Sequence, residues 1–208
     1  MAEDTAVKGQ QNIYTNNSPV NQLDFVITQM MNKIHTCLPC KVVAVHVESG
    51  STGRVDVLPL VTHVDGFGEV VQPVTHYNVP YSRIQGGIAA LIIDPVVGDI
   101  GLVCFASKDS SNVKAGTTEP QQPASFRRFS PSDGFYFGGF LNQAPQVYVE
   151  LTQGKVCNII ATGGVNITGN VTVEGTITAS GDIQGNGHSL TNHYHTGNLG
   201  TPTSTSID

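Results

Sequence analysis

Two groups of histidine and cysteine side chains have the types and spacing to bind a metal. His193 and His195 form an H-x-H pair late in the 208-residue chain. Alternate residues of a strand share a face, so on a strand both imidazoles would point the same way. Three copies around one axis would then offer six nitrogens to a single point. Six nitrogens suit an octahedral transition ion such as iron and fit poorly with structural zinc, which takes four ligands. His188 has the opposite parity and should face outward. The second group is His35, Cys37, Cys40 and His46, whose donor types and number suit tetrahedral zinc, although the histidine spacings are not standard for such a site. Cys37-Leu-Pro-Cys40 also has C-x-x-C redox spacing, but it follows a helical pattern and leads into a strand, whereas a thioredoxin-type pair opens a helix. Cys104 and Cys157 sit among apolar neighbours and read as small buried hydrophobes. No Ser/His/Asp, paired-carboxylate or phosphate-loop constellation stands out, so the expectation is a protein that is not an enzyme.

The H-x-H pair gains weight from the segment before it. Glycines recur at 163, 169, 175, 181 and 187, a strict six-residue period. Within these units the second residue after glycine is Val165, Val171, Ile177 or Ile183, and the fourth is Ile167, Val173, Ala179 or Gly185. All are odd-numbered, as strands of period two require, while the even positions are mostly Asn, Thr, Glu, Asp, Ser and Gln. A single-chain β-helix needs about three such sides per coil and several coils. One copy supplies too few, so three chains are expected to close a triangular prism. His193 and His195 continue its odd parity.

The first half reads differently. Leu23, Val26, Ile27, Met30, Met31 and Ile34 follow helical spacing after Ser18, a capping type, and Pro19, suited to the first helical position. Alternating strand patterns follow at 41–47 and 53–61, joined by turn residues at 48–52, with further strand-like runs at 68–75 after a Gly-Phe-Gly turn, at 88–93 and at 99–105. Five short strands with one long connection suggest a small OB-type barrel. The segment 126–140, with five of the eight phenylalanines, reads as a loop anchored by aromatic packing. The expected organisation is a flexible N-terminus over 1–17, a helix over 18–38 and an OB-like barrel over 39–108. A linker and aromatic loop follow over 109–146, then a trimeric β-helix over 147–187 and a metal-bound apex over 188–208.

Charge narrows the function further. Asp, Glu, Lys and Arg make up 12% of the chain, about half the usual ~25%. All ten Lys and Arg lie at or before Lys155, and only Glu174, Asp182 and Asp208 are acidic after it. An acidic chain with a cation-free tail lacks the basic footprint that phosphate backbones require, which excludes nucleic acid as the main partner. Apolar runs such as 42–47 and 88–93 are far short of the ~20 residues of a membrane-spanning helix. The first residues carry no apolar signal core, so synthesis in a cytoplasm without a cleaved leader is expected.

In order along the chain, the helix with Thr36-Cys37-Leu38-Pro39, the SDGFYFGGF run at 132–140, the hexad prism and His193-Tyr194-His195-Thr196-Gly197 resemble the central membrane-puncturing spike of contractile-tailed bacteriophages. Thr191, Thr196 and Gly197 agree with the family's pattern around H-x-H-x-G. The resemblance implies a homotrimer with an OB-fold collar, an intertwined triple-stranded β-helix and a needle apex. At that apex His193 and His195 of each chain hold one iron ion, with further structural ions left open. It implies a structural virion protein at the tail baseplate tip, bound to the baseplate hub or tail tube and driven through the host outer membrane when the sheath contracts. A trimeric tail fibre or adhesin would use the same prism, but should carry a receptor-binding head after it; only thirteen residues follow His195. A metal enzyme using H-x-H would instead hold one metal per chain and keep an open coordination position.

Overall fold

Ser18 and Pro19 start a helix as their chemistry dictates. The Ser18 hydroxyl accepts from the Asn21 backbone N–H at 3.2 Å, and Pro19 occupies the first turn, where its missing N–H costs nothing. In the computed structural model, which describes residues 17–47, 53–64 and 69–191, this helix α1 runs Pro19–Met31. It stops short of the expected 18–38: the chain turns at Asn32 and Lys33 and is extended from Cys37 in β1 (Cys37–His46). Residues 1–16, within the expected flexible N-terminus, and residues 48–52 and 65–68 lie outside the described residues.

The protein is mainly β. After β1 come β2 (Arg54–Pro59), β3 (His63–Val64), β4 (Val70–Val71), β5 (His76–Pro80), β6 (Ile84–Gly86), β7 (Ala89–Leu91), β8 (Ile100–Phe105) and β9 (Gly134–Phe137). A short helix α2 (Ser111–Lys114) and a 3-10 turn (Pro131–Asp133) stand between β8 and β9. Five strands form one antiparallel sheet in the order β5-β2-β1-β8-β9. A register shift between Val42 and Ala44 marks a bulge in β1, the kind of irregularity that bends a strand and raises its twist. The sheet curls into a half-barrel. Its edges approach through a parallel bridge between Tyr81 and Tyr136, with the Ser82 N–H donating to the Tyr136 carbonyl at 2.9 Å.

Strand alternation builds the core. On β8, Gly101, Val103 and Phe105 are buried; on β9, Gly134 and Tyr136 are. They meet Cys40, Val42, Val55, Val57, Val79 and Tyr81 from the other strands. Gly101 is required by Tyr136: a Cβ there would press on the Phe137 carbonyl and stand 2.6 Å from the Tyr136 ring. Gly101→Ala is therefore expected to cost about 1–3 kcal/mol by overpacking, read as a lower urea midpoint with an unchanged slope.

Two of the five expected strands differ from those observed. The runs at 68–75 and 88–93 supply only the short strands β4 and β7, which pair with β3 and β6 outside the main sheet. Their places are taken by β5 and by β9, the latter from the segment expected to be an aromatic loop. β5 contributes only Val79 to the core, with Tyr81 just beyond it, so its sequence carries little apolar signal.

The chain divides into two compact units between Ala144 and Pro145. The second contains the hairpin β10 (Tyr148–Leu151) with β11 (Cys157–Ile160) and the two-residue pair β12 (Gln184–Gly185) with β13 (His188–Ser189). Asn186 (φ 50°) and Gly187 (φ 79°) make the turn of that pair. Two successive left-handed residues are what a tight hairpin demands, and Asn-Gly adopts them most cheaply. Among the described residues no helix is long and apolar enough to cross a membrane.

Candidate functional site

The glycine-punctuated segment exposes a regular row of apolar side chains. Val165, Ile167, Val171, Val173, Ile177 and Ile183 are between 40 and 67% exposed. Residues 165–181 belong to no helix or strand and make no hydrogen bond among the described residues. Gly169 and Gly175 take positive φ at the expected six-residue spacing, which a side chain would resist. The row therefore combines exposed apolar side chains with a backbone that has no hydrogen-bond partner among the described residues.

The expected metal ligands His193 and His195 lie outside the described residues. The chain approaching them is tied down. Asp182 accepts from the Ser189 hydroxyl at 2.8 Å and from the Thr191 N–H at 3.2 Å, and Leu190 N–H donates to the Ile183 carbonyl at 2.8 Å. The Ser189 hydroxyl, followed by the Thr191 amide, holds the Asp182 carboxyl below its ordinary value. His188, expected outward, is exposed on β13.

The zinc set does not assemble. Cys40 is fully buried in the core, where burial pushes its thiol up to about 11. Cys37 faces the other side of β1, with its sulfur 2.7 Å from that of Cys104 on β8. His46, at the far end of β1, pairs through Nε2 with Asp56 Oδ2 at 3.0 Å. Alternation along one strand separates residues three apart, which defeats both the zinc and the C-x-x-C readings. Among the described residues no group of three or more His, Cys, Asp or Glu is placed to hold a metal ion. Cys104 is only half-buried and Cys157 is exposed, so neither is the buried hydrophobe expected.

Spacing did not foretell three other groups. His35 meets His63 and Phe105 edge-on, with ring centres 5.6 and 6.0 Å apart, and His76 meets Phe105 at 6.1 Å. These histidines line a cavity of about 210 Å³. Burial, then the neighbouring His35, lowers the basicity of His76. A larger cavity of about 460 Å³ is lined by Tyr81, Arg83, Leu91, Asp94 and Tyr136. There Asp94 Oδ1 accepts from the Tyr81 hydroxyl at 2.5 Å and from Arg83 at 2.8 Å. Arg83 Nε and Tyr136 Oη are buried without a partner among the described residues, and burial pushes the Tyr136 phenol up to about 12.

The third group holds the connection between β8 and β9. Asp133 is fully buried and accepts from the Ser110 N–H and hydroxyl, each at 2.8 Å, and from Arg127 Nε at 2.7 Å. Arg127 reaches on to Asp109 at 2.7 Å. Asp109 and Ser110 lie in a polar run of ordinary loop composition and Arg127 and Asp133 in the aromatic-rich segment, and only the folded register brings them together.

Comparison with protein-family models and with curated proteins returns no match.

Proposed function

We propose that this chain is a structural virion protein, one third of a homotrimeric central spike at the tip of a contractile phage tail. The observation that carries the proposal is the exposed odd-numbered row from Val165 to Ile183, set between glycines at a six-residue period. In three copies around an axis the row becomes a triple-stranded β-helix. Each buried side chain then contributes roughly 1–3 kcal/mol, and the unpaired backbone finds its ladder partners. The resemblance in sequence supplies the functional context.

The five-stranded curled sheet serves as an OB-type collar; its strand order and the parallel approach of its two edges support that reading. The collar, with the exposed apolar stripe Leu23, Val26, Ile27, Met30 and Met31 on α1, offers surface for the baseplate hub or tail tube. The work is transmission of force: sheath contraction drives the trimer through the host outer membrane. A closed prism has no free strand edge to peel under load.

His193 and His195 of three chains would hold one iron ion. Six neutral imidazole donors match octahedral coordination, so the donor set fits the metal. When bound, the ion cross-links three chain ends that would otherwise fray. Light scattering combined with metal analysis tests the reading: a mass three times 22.0 kDa and one iron per three chains are expected. A monomer, or one metal per chain, overturns it. Replacing both histidines by alanine is expected to abolish bound iron and leave the trimer intact; iron retained by that variant refutes the ligand assignment.

A further inference from the structure

The structure gives the cysteines of the first unit a chemistry that their spacing conceals. Cys37 and Cys104 are directly opposed in the antiparallel ladder of β1 with β8, and their sulfurs are 2.7 Å apart. Opposed residues of such a ladder have Cα atoms about 4.5–5.5 Å apart, inside the roughly 4.4–6.8 Å that a disulfide spans. Cys37 is exposed and Cys104 half-buried, so a small reactant can reach the first and not easily the second. Cys40, the other member of the C-x-x-C, is buried on the opposite face with its thiol donating to the Leu38 carbonyl at 3.4 Å.

We infer that Cys37 and Cys104 form a thiol–disulfide exchange site for small disulfides such as oxidised glutathione, whose product is a cross-strand disulfide. The Cys37 thiolate attacks one sulfur of the glutathione disulfide. That S–S bond breaks, one glutathione leaves as thiolate and takes a proton from solvent, and Cys37 carries the other as a mixed disulfide. Cys104 loses its proton to solvent, and its sulfur attacks Cys37 Sγ. The mixed bond breaks and the second glutathione leaves, protonated in turn. The two protein thiols have lost two hydrogens, and one glutathione disulfide has become two glutathiones. Burial pushes the Cys104 thiol up to about 11, which suits it to the second, intramolecular step, where proximity compensates for a small thiolate fraction. In a chain made in a reducing cytoplasm and used outside it, the bond would form after release; this consequence alone rests on the proposed function.

The test treats the full-length reduced protein with oxidised glutathione and follows it by intact mass and peptide mapping. The expected product has lost two hydrogens, retains no glutathione, and yields one linked peptide pair containing Cys37 and Cys104. Closing so long a loop should raise the melting temperature by roughly 5–10 °C. Cys104→Ser is expected to stop at the first step, holding one glutathione on Cys37, while Cys157→Ser should behave as the unaltered chain. Glutathione retained on the unaltered chain overturns the inference. So does a link involving Cys40, a bond between chains through Cys157 in place of the expected one, or no loss of thiol. If Cys104→Ser does not fold, the peptide map of the unaltered protein decides alone.

Discussion

Val171→Asp is expected to leave single chains of 22.0 kDa where, on the proposed function, the unaltered protein is expected to give three times that mass. Val171 lies in the middle of the exposed odd row, so in a prism its three copies would face one another across the axis. A carboxylate taken into that setting loses several kcal/mol of hydration, and three like charges converge. The penalty is on the order of 10 kcal/mol per trimer, comparable to the burial of several side chains. Thr172→Asp, one residue on and of even parity, should keep the trimer. Lowering the pH should restore association in Val171→Asp, because crowded carboxyls take up protons above their ordinary ~3.9. Light scattering on both variants at neutral and acid pH checks the parity. An unaltered trimer in Val171→Asp, or equal loss in both variants, would remove the axial assignment. Unfolding of the first unit is not expected, since the core of its sheet contains no residue beyond Tyr136.

Asp133→Ala is expected to destabilise the first unit by about 2–4 kcal/mol. It would strand the Ser110 N–H and hydroxyl, both held by this one buried carboxylate, and take from Arg127 its Nε acceptor while leaving the Asp109 contact. Arg127→Ala should cost less, because that side chain is 36% exposed and solvent screens part of its charge. The pH dependence has a definite sign. Arg127, followed by the Ser110 donors, outweighs burial and holds the Asp133 carboxyl far below its ordinary value. Its contribution is complete above the unfolded value of ~3.9 and is lost as pH falls below that towards the depressed folded value. Asp133→Asn should therefore be less stable at neutral pH and should lose less on acidification. Urea midpoints across the acid range measure both, and parallel curves for the two proteins would show that the clamp carries no charge-dependent stability.

The parts of the fold that announce themselves in sequence are those whose pattern is local. Ser18-Pro19 marks the start of α1, alternation marks β1 and β2, and an apolar run marks β8. The edge strands were illegible because each half-barrel edge buries so few side chains: β5 buries Val79, and β9 buries Tyr136 between aromatic neighbours that read as a loop. Conversely, the apolar run 88–93 looks like a core strand yet stays exposed. Hydrophobic content signals burial, and burial against another chain leaves the same signal as burial within one. The Cys37–Cys104 pair and the Asp133–Arg127 clamp depend on register between distant segments, which no spacing rule encodes.

The two ladders on β1 overlap at only two residues. Its pairing with β8 covers Cys37–Lys41, and its pairing with β2 covers Cys40–His46, so only Cys40 and Lys41 are flanked on both sides. A bond from the Leu60 N–H to the Pro39 carbonyl, and the pair from Val42 to Asp99 and from Gly98 to Val42, extend the crossing slightly. The sheet is thus two three-stranded ribbons sharing one strand, tied a second time where Tyr81 meets Tyr136. Neither ribbon can swing open while both ties hold. Amide protons at this crossing should accordingly be released to solvent only by global unfolding, and those of the outer strands by cheaper, partial openings.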